Sequence, residues 1–109
     1  MTITQKRLAG PAQLTASTAV YYTCPSATTT IVKQIILTNT TGSSKTATVR
    51  IYTTGTEGNT FDVLSAITLA ANETLAFNCS IVMAATETIK AFASSATSVN
   101  LTVSGIEEV

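Results

Sequence analysis

Apolar and polar residues alternate one by one through most of this chain, and many of the polar ones are threonine. Thr46, Thr48, Arg50 and Tyr52 interleave with Ala47, Val49 and Ile51, and Asn100, Thr102 and Ser104 interleave with Val99, Leu101 and Val103. A period of two sends successive side chains to opposite faces of an extended strand, whereas a helix face recurs every 3.6 residues. Threonine, valine and isoleucine branch at Cβ, which suits a pleated surface better than a helix. The pattern predicts an all-β chain in which each strand gives one face to a core.

The 109 residues are enough for one core, and 45% of them are hydrophobic. Residues 1–12 are expected to be an extended N-terminal arm, because Gly10-Pro11 is a breaker and proline has no N–H to give to a ladder. Residues 13–109 are expected to form a single-domain antiparallel β-sandwich, jelly-roll-like, of about eight strands. The predicted strands are 14–23, 30–39, 45–54, 61–69, 74–78, 79–83, 88–93 and 99–106, with a bend between the fifth and sixth.

In the second strand Ile31, Lys33, Ile35 and Leu37 are expected on one face and Val32, Gln34, Ile36 and Thr38 on the other. Apolar residues on both faces mark a central strand, or one that meets another subunit. Asn39–Ser44 has hairpin-loop chemistry, Gly55–Asn59 is the expected flexible tip, and Ala70–Glu73 and Ala84–Glu87 are expected corners. One segment competes for a different structure. Thr60 could cap a short helix over 61–71, with Val63, Leu64 and Ile67 at helical spacing, although strand is preferred there.

Six Lys and Arg residues balance six Asp and Glu residues. A neutral chain lacks the clustered positive charge that DNA or RNA binding requires, so no nucleic-acid partner is expected. Lys6-Arg7 is the single basic pair, read either as a solvated flank or as a point of docking on an acidic neighbour. No apolar run approaches the ~20 residues of a bilayer span, and no membrane partner is expected. No basic region followed by a long apolar run marks a signal peptide, so synthesis in a cytoplasm is expected. Few charges and a Thr, Ser and Asn surface suit a packed subunit better than a free monomer.

The chain has no histidine, and its acids fall in predicted turns or the tail, apart from Asp62 in a strand. General acid–base chemistry needs paired groups with shifted pKa values in a pocket, so no enzymatic activity and no catalytic residue are expected. Cys24 and Cys79 are far apart and lack partners for a zinc set; no metal or cofactor is expected, and both are read as buried thiols, with a disulfide between them as the alternative. Asn39, Asn72 and Asn78 head glycosylation-type triplets that are expected to be idle. Phe77 and Phe92 are expected in the core, and of the adjacent Tyr21 and Tyr22 one is expected inside and one outside.

The order of several short segments carries a resemblance. Lys6-Arg7-Leu8-Ala9-Gly10-Pro11, Tyr21-Tyr22-Thr23-Cys24-Pro25, Ile31-Val32-Lys33-Gln34-Ile35 and Asn39-Thr40-Thr41-Gly42 are followed by Leu69–Leu75, Glu87-Thr88-Ile89-Lys90-Ala91 and Leu101–Glu107. The chain resembles, over nearly its whole length, a family of small virion structural proteins of tailed bacteriophages. Cys24 stands where a valine is usual, and Thr86 stands where glycine is commoner at a tight left-handed corner.

The resemblance implies a structural role without catalysis. A capsid decoration (cement) protein is expected, a homo-oligomer with a trimer favoured, bound to the major capsid protein in virions assembled in a bacterial host's cytoplasm. A tail, baseplate or fibre-associated protein is the alternative, and a carbohydrate-binding module is a third reading that the absence of Trp disfavours. Thr4, Lys6, Arg7, Leu8 and Pro11 are the expected docking residues of the arm, so that deletion of residues 1–10 is expected to spare folding and abolish docking.

Overall fold

The computed structural model describes residues 2–52 and 60–109. The predicted tip Gly55–Asn59, with Glu57, and the predicted strand end at Thr53 and Thr54 lie outside the described residues. Eight strands follow in chain order: β1 Ile3–Gln13, β2 Ala19–Thr23, β3 Thr29–Asn39, β4 Lys45–Tyr52, β5 Thr60–Leu69, β6 Thr74–Met83, β7 Thr88–Ala93 and β8 Val99–Glu108. They form two four-stranded sheets, β1-β8-β3-β6 and β2-β7-β4-β5, and no helix occurs among the described residues. All the pairings are antiparallel: β1 with β8, β2 with β7, β3 with β6 and β4 with β5, with β3–β8 and β4–β7 completing the sheets. The chain is thus one long hairpin, tipped at β4–β5, rolled into two layers. This is the jelly roll the alternation implied.

The inward faces fill the space between the layers. Val32, Ile35, Leu37, Leu101 and Val103 come from one sheet, and Ala47, Val49, Leu69, Ile89 and Ala91 from the other; all are buried. Each fully buried Val, Leu or Ile contributes about 1.5–3 kcal/mol relative to exposure.

Three departures from strict alternation explain where sequence and structure part. The expected arm is not an arm over its described residues, 2–12. Ile3–Gln13 is an edge strand paired to β8 from Ile3↔Glu108 to Gln13↔Asn100, and Leu8 and Ala9 are buried in the core. Gly10-Pro11 sits where the register slips between Ala9 and Ala12, at a bulge on a sheet edge, where a missing N–H costs no ladder bond. Gly10 has φ of 75° there, and an added Cβ would collide with the Leu101 carbonyl.

In β3 the register slips between Val32 and Gln34 against both neighbours. Val32 and Ile35, three residues apart, consequently both face inward, and the expected grouping of Ile31 with Ile35 and Leu37 is broken. The strand is central, between β8 and β6.

In β5 a slip opposite Ala47–Val49 has the same effect, and Leu64, Ile67 and Leu69 pack on the core. Ala66 takes φ of 45°, and its N–H donates to Thr48 Oγ1 at 3.0 Å. The spacing that mimicked a helix over 61–71 is therefore a bulged strand. The predicted fifth and sixth strands are a single strand, β6, whose side chains alternate without interruption.

The two expected corners are the same device used twice. In Ala70-Ala71-Asn72-Glu73 the Glu73 N–H donates to Ala70 O at 3.0 Å, and the Ala70 N–H donates to Glu73 Oε1 at 2.8 Å. In Ala84-Ala85-Thr86-Glu87 the matching distances are 3.2 and 2.8 Å. Asn72 and Thr86 occupy the left-handed position, with φ of 58° and 71°. The carboxylates that looked like plain surface charge each close a turn.

Candidate functional site

The outer face of the β1-β8-β3-β6 sheet carries an apolar row. Ile31 of β3 lies between Val82 of β6 and Ile106 of β8. Val82 is 66% exposed, while Ile31 and Ile106 are half-buried beside it and outside the core cluster. Polar cross-strand pairs lie elsewhere on this face, beside the half-buried Ile36 paired with Ala76: Lys33 Nζ donates to Ser80 Oγ at 3.0 Å, Gln34 Nε2 to Asn78 Oδ1 at 2.9 Å, and the Thr38 and Thr74 hydroxyls lie 3.2 Å apart. These side chains are already engaged with one another across the strands.

Two shallow grooves open on the β1 side. One, of about 450 Å³, is lined by Gln5, Lys6, Lys33, Ser104, Gly105 and Ile106. The other, of about 170 Å³, is lined by Pro11, Ala12, Gln13 and Asn100. Asn100 Oδ1 is buried and has no hydrogen-bond partner among the described residues. A buried acceptor without a donor costs free energy, and a donor on a bound partner relieves it.

The five expected docking residues lie on β1 but do not act as one element. Thr4, Lys6, Arg7 and Pro11 are exposed, whereas Leu8 is buried. Leu8 packs beside Gly105, where a Cβ would meet its Cδ1 at 2.8 Å. Lys6 Nζ is 3.2 Å from Glu107 Oε1. Glu107 Oε2 in turn accepts from the Tyr22 hydroxyl of the opposite sheet at 2.6 Å, and that hydroxyl lies 2.7 Å from Thr30 Oγ1. The Tyr22 bond, helped by Lys6 and opposed by burial, holds the Glu107 carboxyl below its ordinary range. Burial, the bond to Glu107 and its charge push the Tyr22 phenol far above its own.

The other outer face, on β2-β7-β4-β5, is cationic and aromatic. The Arg50 guanidinium is 4.8 Å from the Phe92 ring centroid, and Arg50 Nε donates to Asp62 Oδ1 at 2.7 Å. Lys90 Nζ is 3.5 Å from the Tyr52 ring centroid. Phe92 therefore lies outside the core, because it shares the outward phase of β7 with Thr88 and Lys90; Phe77 packs inward as expected. Of the tyrosine pair, Tyr22 is buried and Tyr21 half-buried.

Both cysteines are free; Cys24 is buried and Cys79 half-buried, and burial pushes the Cys79 thiol up. No group of three or more His, Cys, Asp or Glu suited to a metal occurs among the described residues. Among the described residues no helix is long and apolar enough to cross a membrane. Asn39 is fully buried with its amide engaged, so its glycosylation-type triplet is closed to modification.

No family model matches the chain, and no curated protein matches it. Among solved structures, a chain in the structure of infectious bursal disease virus, Gx strain, shares the fold with a TM-score of 0.65 at 15% identity. The match covers 97% of this chain and 32% of that one. At this identity the likeness is one of fold: the whole of this sandwich corresponds to about a third of a chain from a virus particle.

Proposed function

We propose that this chain is a non-enzymatic virion structural protein, and that it acts as a capsid decoration protein bound to a major capsid lattice of a tailed bacteriophage. The observation that carries the proposal is the outer face of β1-β8-β3-β6. It joins the Val82–Ile31–Ile106 row to grooves beside Lys6 and Pro11 and to the unpartnered Asn100 acceptor. Such a face gains from being covered: apolar area leaves water and an orphan acceptor finds a donor. The fold shared with a chain from a virus particle supports the same reading.

The mechanism is adhesive. Many identical, individually modest contacts on a symmetric lattice add up to a stable shell. Lys6 and Arg7, at the rim of this face, suit an acidic neighbour on the capsid surface, and Thr4 and Pro11 lie along the same strand.

Cosedimentation of the purified chain with capsids of the phage that encodes it tests the proposal. Saturable binding is expected, and Ile106→Lys, which places a charge at the β8 end of the apolar row beside the Lys6 groove, is expected to abolish binding while leaving the melting transition in place. Absence of binding by the unaltered chain, or equal binding by a folded Ile106→Lys variant, would contradict the proposal.

A further inference from the structure

The sandwich has four sheet edges, β1 and β6 in one sheet and β2 and β5 in the other. An edge strand offers a row of unpaired N–H and C=O groups, and proteins that keep such an edge single blunt it with charge, proline, bulges or shortness. Three edges here are blunted. β1 carries Lys6, Arg7, Pro11 and two register slips. β2 is five residues long with a slip between Val20 and Tyr22. β5 carries Asp62, Ala66 at positive φ and the slips opposite β4.

β6 has neither charge nor proline nor a short span, and its one irregularity is the register slip opposite Val32–Gln34 of β3. Its ten residues, Thr74–Met83, contain no charge, no proline and no glycine, and their side chains alternate in and out without a break. Its inward side chains are also incompletely covered. Among the described residues, eight half-buried apolar side chains pack on the core, of which four come from β6 (Leu75, Phe77, Cys79 and Ile81) and two from β5 (Val63 and Ile67). β5 and β6 end their respective sheets and are joined by the Ala70–Glu73 corner. The core is therefore least covered along the very side where the edge is unprotected.

We infer that β6 is a self-association edge: two copies of this chain pair antiparallel through β6, about a two-fold axis near Asn78 and Cys79, and join their four-stranded sheets into one of eight. Antiparallel pairing keeps facing residues on the same side of the sheet, so the axis falls on Asn78 or on Cys79. In either register outward residues face outward residues, with Asn78 meeting Asn78 or Ser80, and the half-buried apolar row runs on from one copy to the next. A second copy is the fitting occupant because an uncharged strand meets its own image without like-charge repulsion.

The size is adequate as well. A ten-residue strand is roughly 33 Å long, and the molecule's thinnest extent is 18 Å. The covered strip is thus roughly 600 Å² per copy, about 1,200 Å² in total, at the lower end of specific interfaces. An isologous pair of this kind replaces the three-fold order expected from the sequence. The inference does not depend on capsid binding.

Sedimentation velocity of the purified chain over a wide concentration range is the test, together with cross-linking. A monomer–dimer equilibrium is expected. Ala76→Lys puts a charge on the exposed side of β6 and is expected to yield monomer with an unchanged circular dichroism spectrum, while Ala76→Thr keeps the dimer. In a Cys79→Ser background, Asn78→Cys is expected to give cross-linked dimer with a short bis-maleimide, and Ser17→Cys, in the β1–β2 turn, is not. A monomer at all concentrations, a trimer, or a dimer indifferent to Ala76→Lys would overturn the inference.

Discussion

The Tyr22 hydroxyl of one sheet donates to Glu107 of the other at 2.6 Å, and so ties the two layers together at one end of the sandwich. The same carboxylate holds Lys6 of the edge strand, and the same hydroxyl reaches Thr30. Side chains from β1, β2, β3 and β8 thus meet at one carboxylate and one phenol.

Tyr22→Phe removes the donor while leaving Glu107 mostly covered. A hydrogen bond to a charged group contributes about 1.5–3 kcal/mol, and a loss of that size is expected in chemical denaturation.

The same pair sets a pH dependence. The Glu107 carboxyl is held below its ordinary 4.5 in the folded chain, so between the two values the unfolded chain binds more protons. Its stabilisation is present above pH 4.5 and is lost as the pH falls through the lower folded value. The Tyr22 phenol is shifted the other way, so its contribution is present below its ordinary 10.0 and is lost as the pH rises beyond it. Melting temperature against pH is expected to fall at both ends, and Tyr22→Phe is expected to flatten both falls. Equal slopes in the two proteins would rule out this role for the pair.

Asn39 is fully buried at the end of β3 and spends its whole amide on backbone and turn. Its Nδ2 donates to Ser43 O at 2.8 Å, Leu69 O at 3.1 Å and Ala70 O at 3.0 Å, and its Oδ1 accepts from Thr41 N–H at 2.9 Å and the Thr41 hydroxyl at 2.7 Å. Asn39→Leu would strand several buried groups at about 1–3 kcal/mol each, and a loss of at least about 3 kcal/mol is expected. Calorimetric unfolding of the variant measures it.

The paired corners make a prediction of opposite sign. Thr86 and Asn72 hold the same left-handed position, but a β-branched side chain is disfavoured there and asparagine is tolerated. Thr86→Gly is expected to stabilise by about 1 kcal/mol and Asn72→Gly to change little. Thermal melts of the two variants, side by side, distinguish strain at the backbone from a generic effect of glycine.

Deleting residues 1–10 is now expected to cost the fold itself. The deletion removes Leu8 and Ala9 from the core and uncovers β8 from Val103 to Glu108. Circular dichroism melts are expected to show loss of the cooperative transition, in contrast to Lys6→Ala with Arg7→Ala, which touches exposed side chains and leaves a folded chain.

The fold was legible in the sequence wherever alternation ran unbroken, as in β7 and β8, whose predicted starts coincide with the observed ones. It was misread where a bulge changed the phase. Val32 to Ile35 and Leu64 to Ile67 are inward pairs three residues apart, a spacing that imitates a helix and that depends on neighbouring strands rather than on local sequence. Gly10-Pro11 looked like the end of structure because proline is excluded from central strands, but β1 is an edge. The candidate surface was partly visible as the two-faced apolar pattern of β3. The joining of Val82, Ile31 and Ile106 across three strands, and the position of Phe92 on an outer face, required the register.

The number of copies of this chain per particle, measured by quantitative mass spectrometry against the major capsid protein, tests the central claim most directly. The account predicts a ratio near one or a simple fraction of it, as for a protein bound throughout a lattice. A ratio far below that would move the protein to a tail or a unique vertex, and absence from purified particles would contradict the virion role altogether.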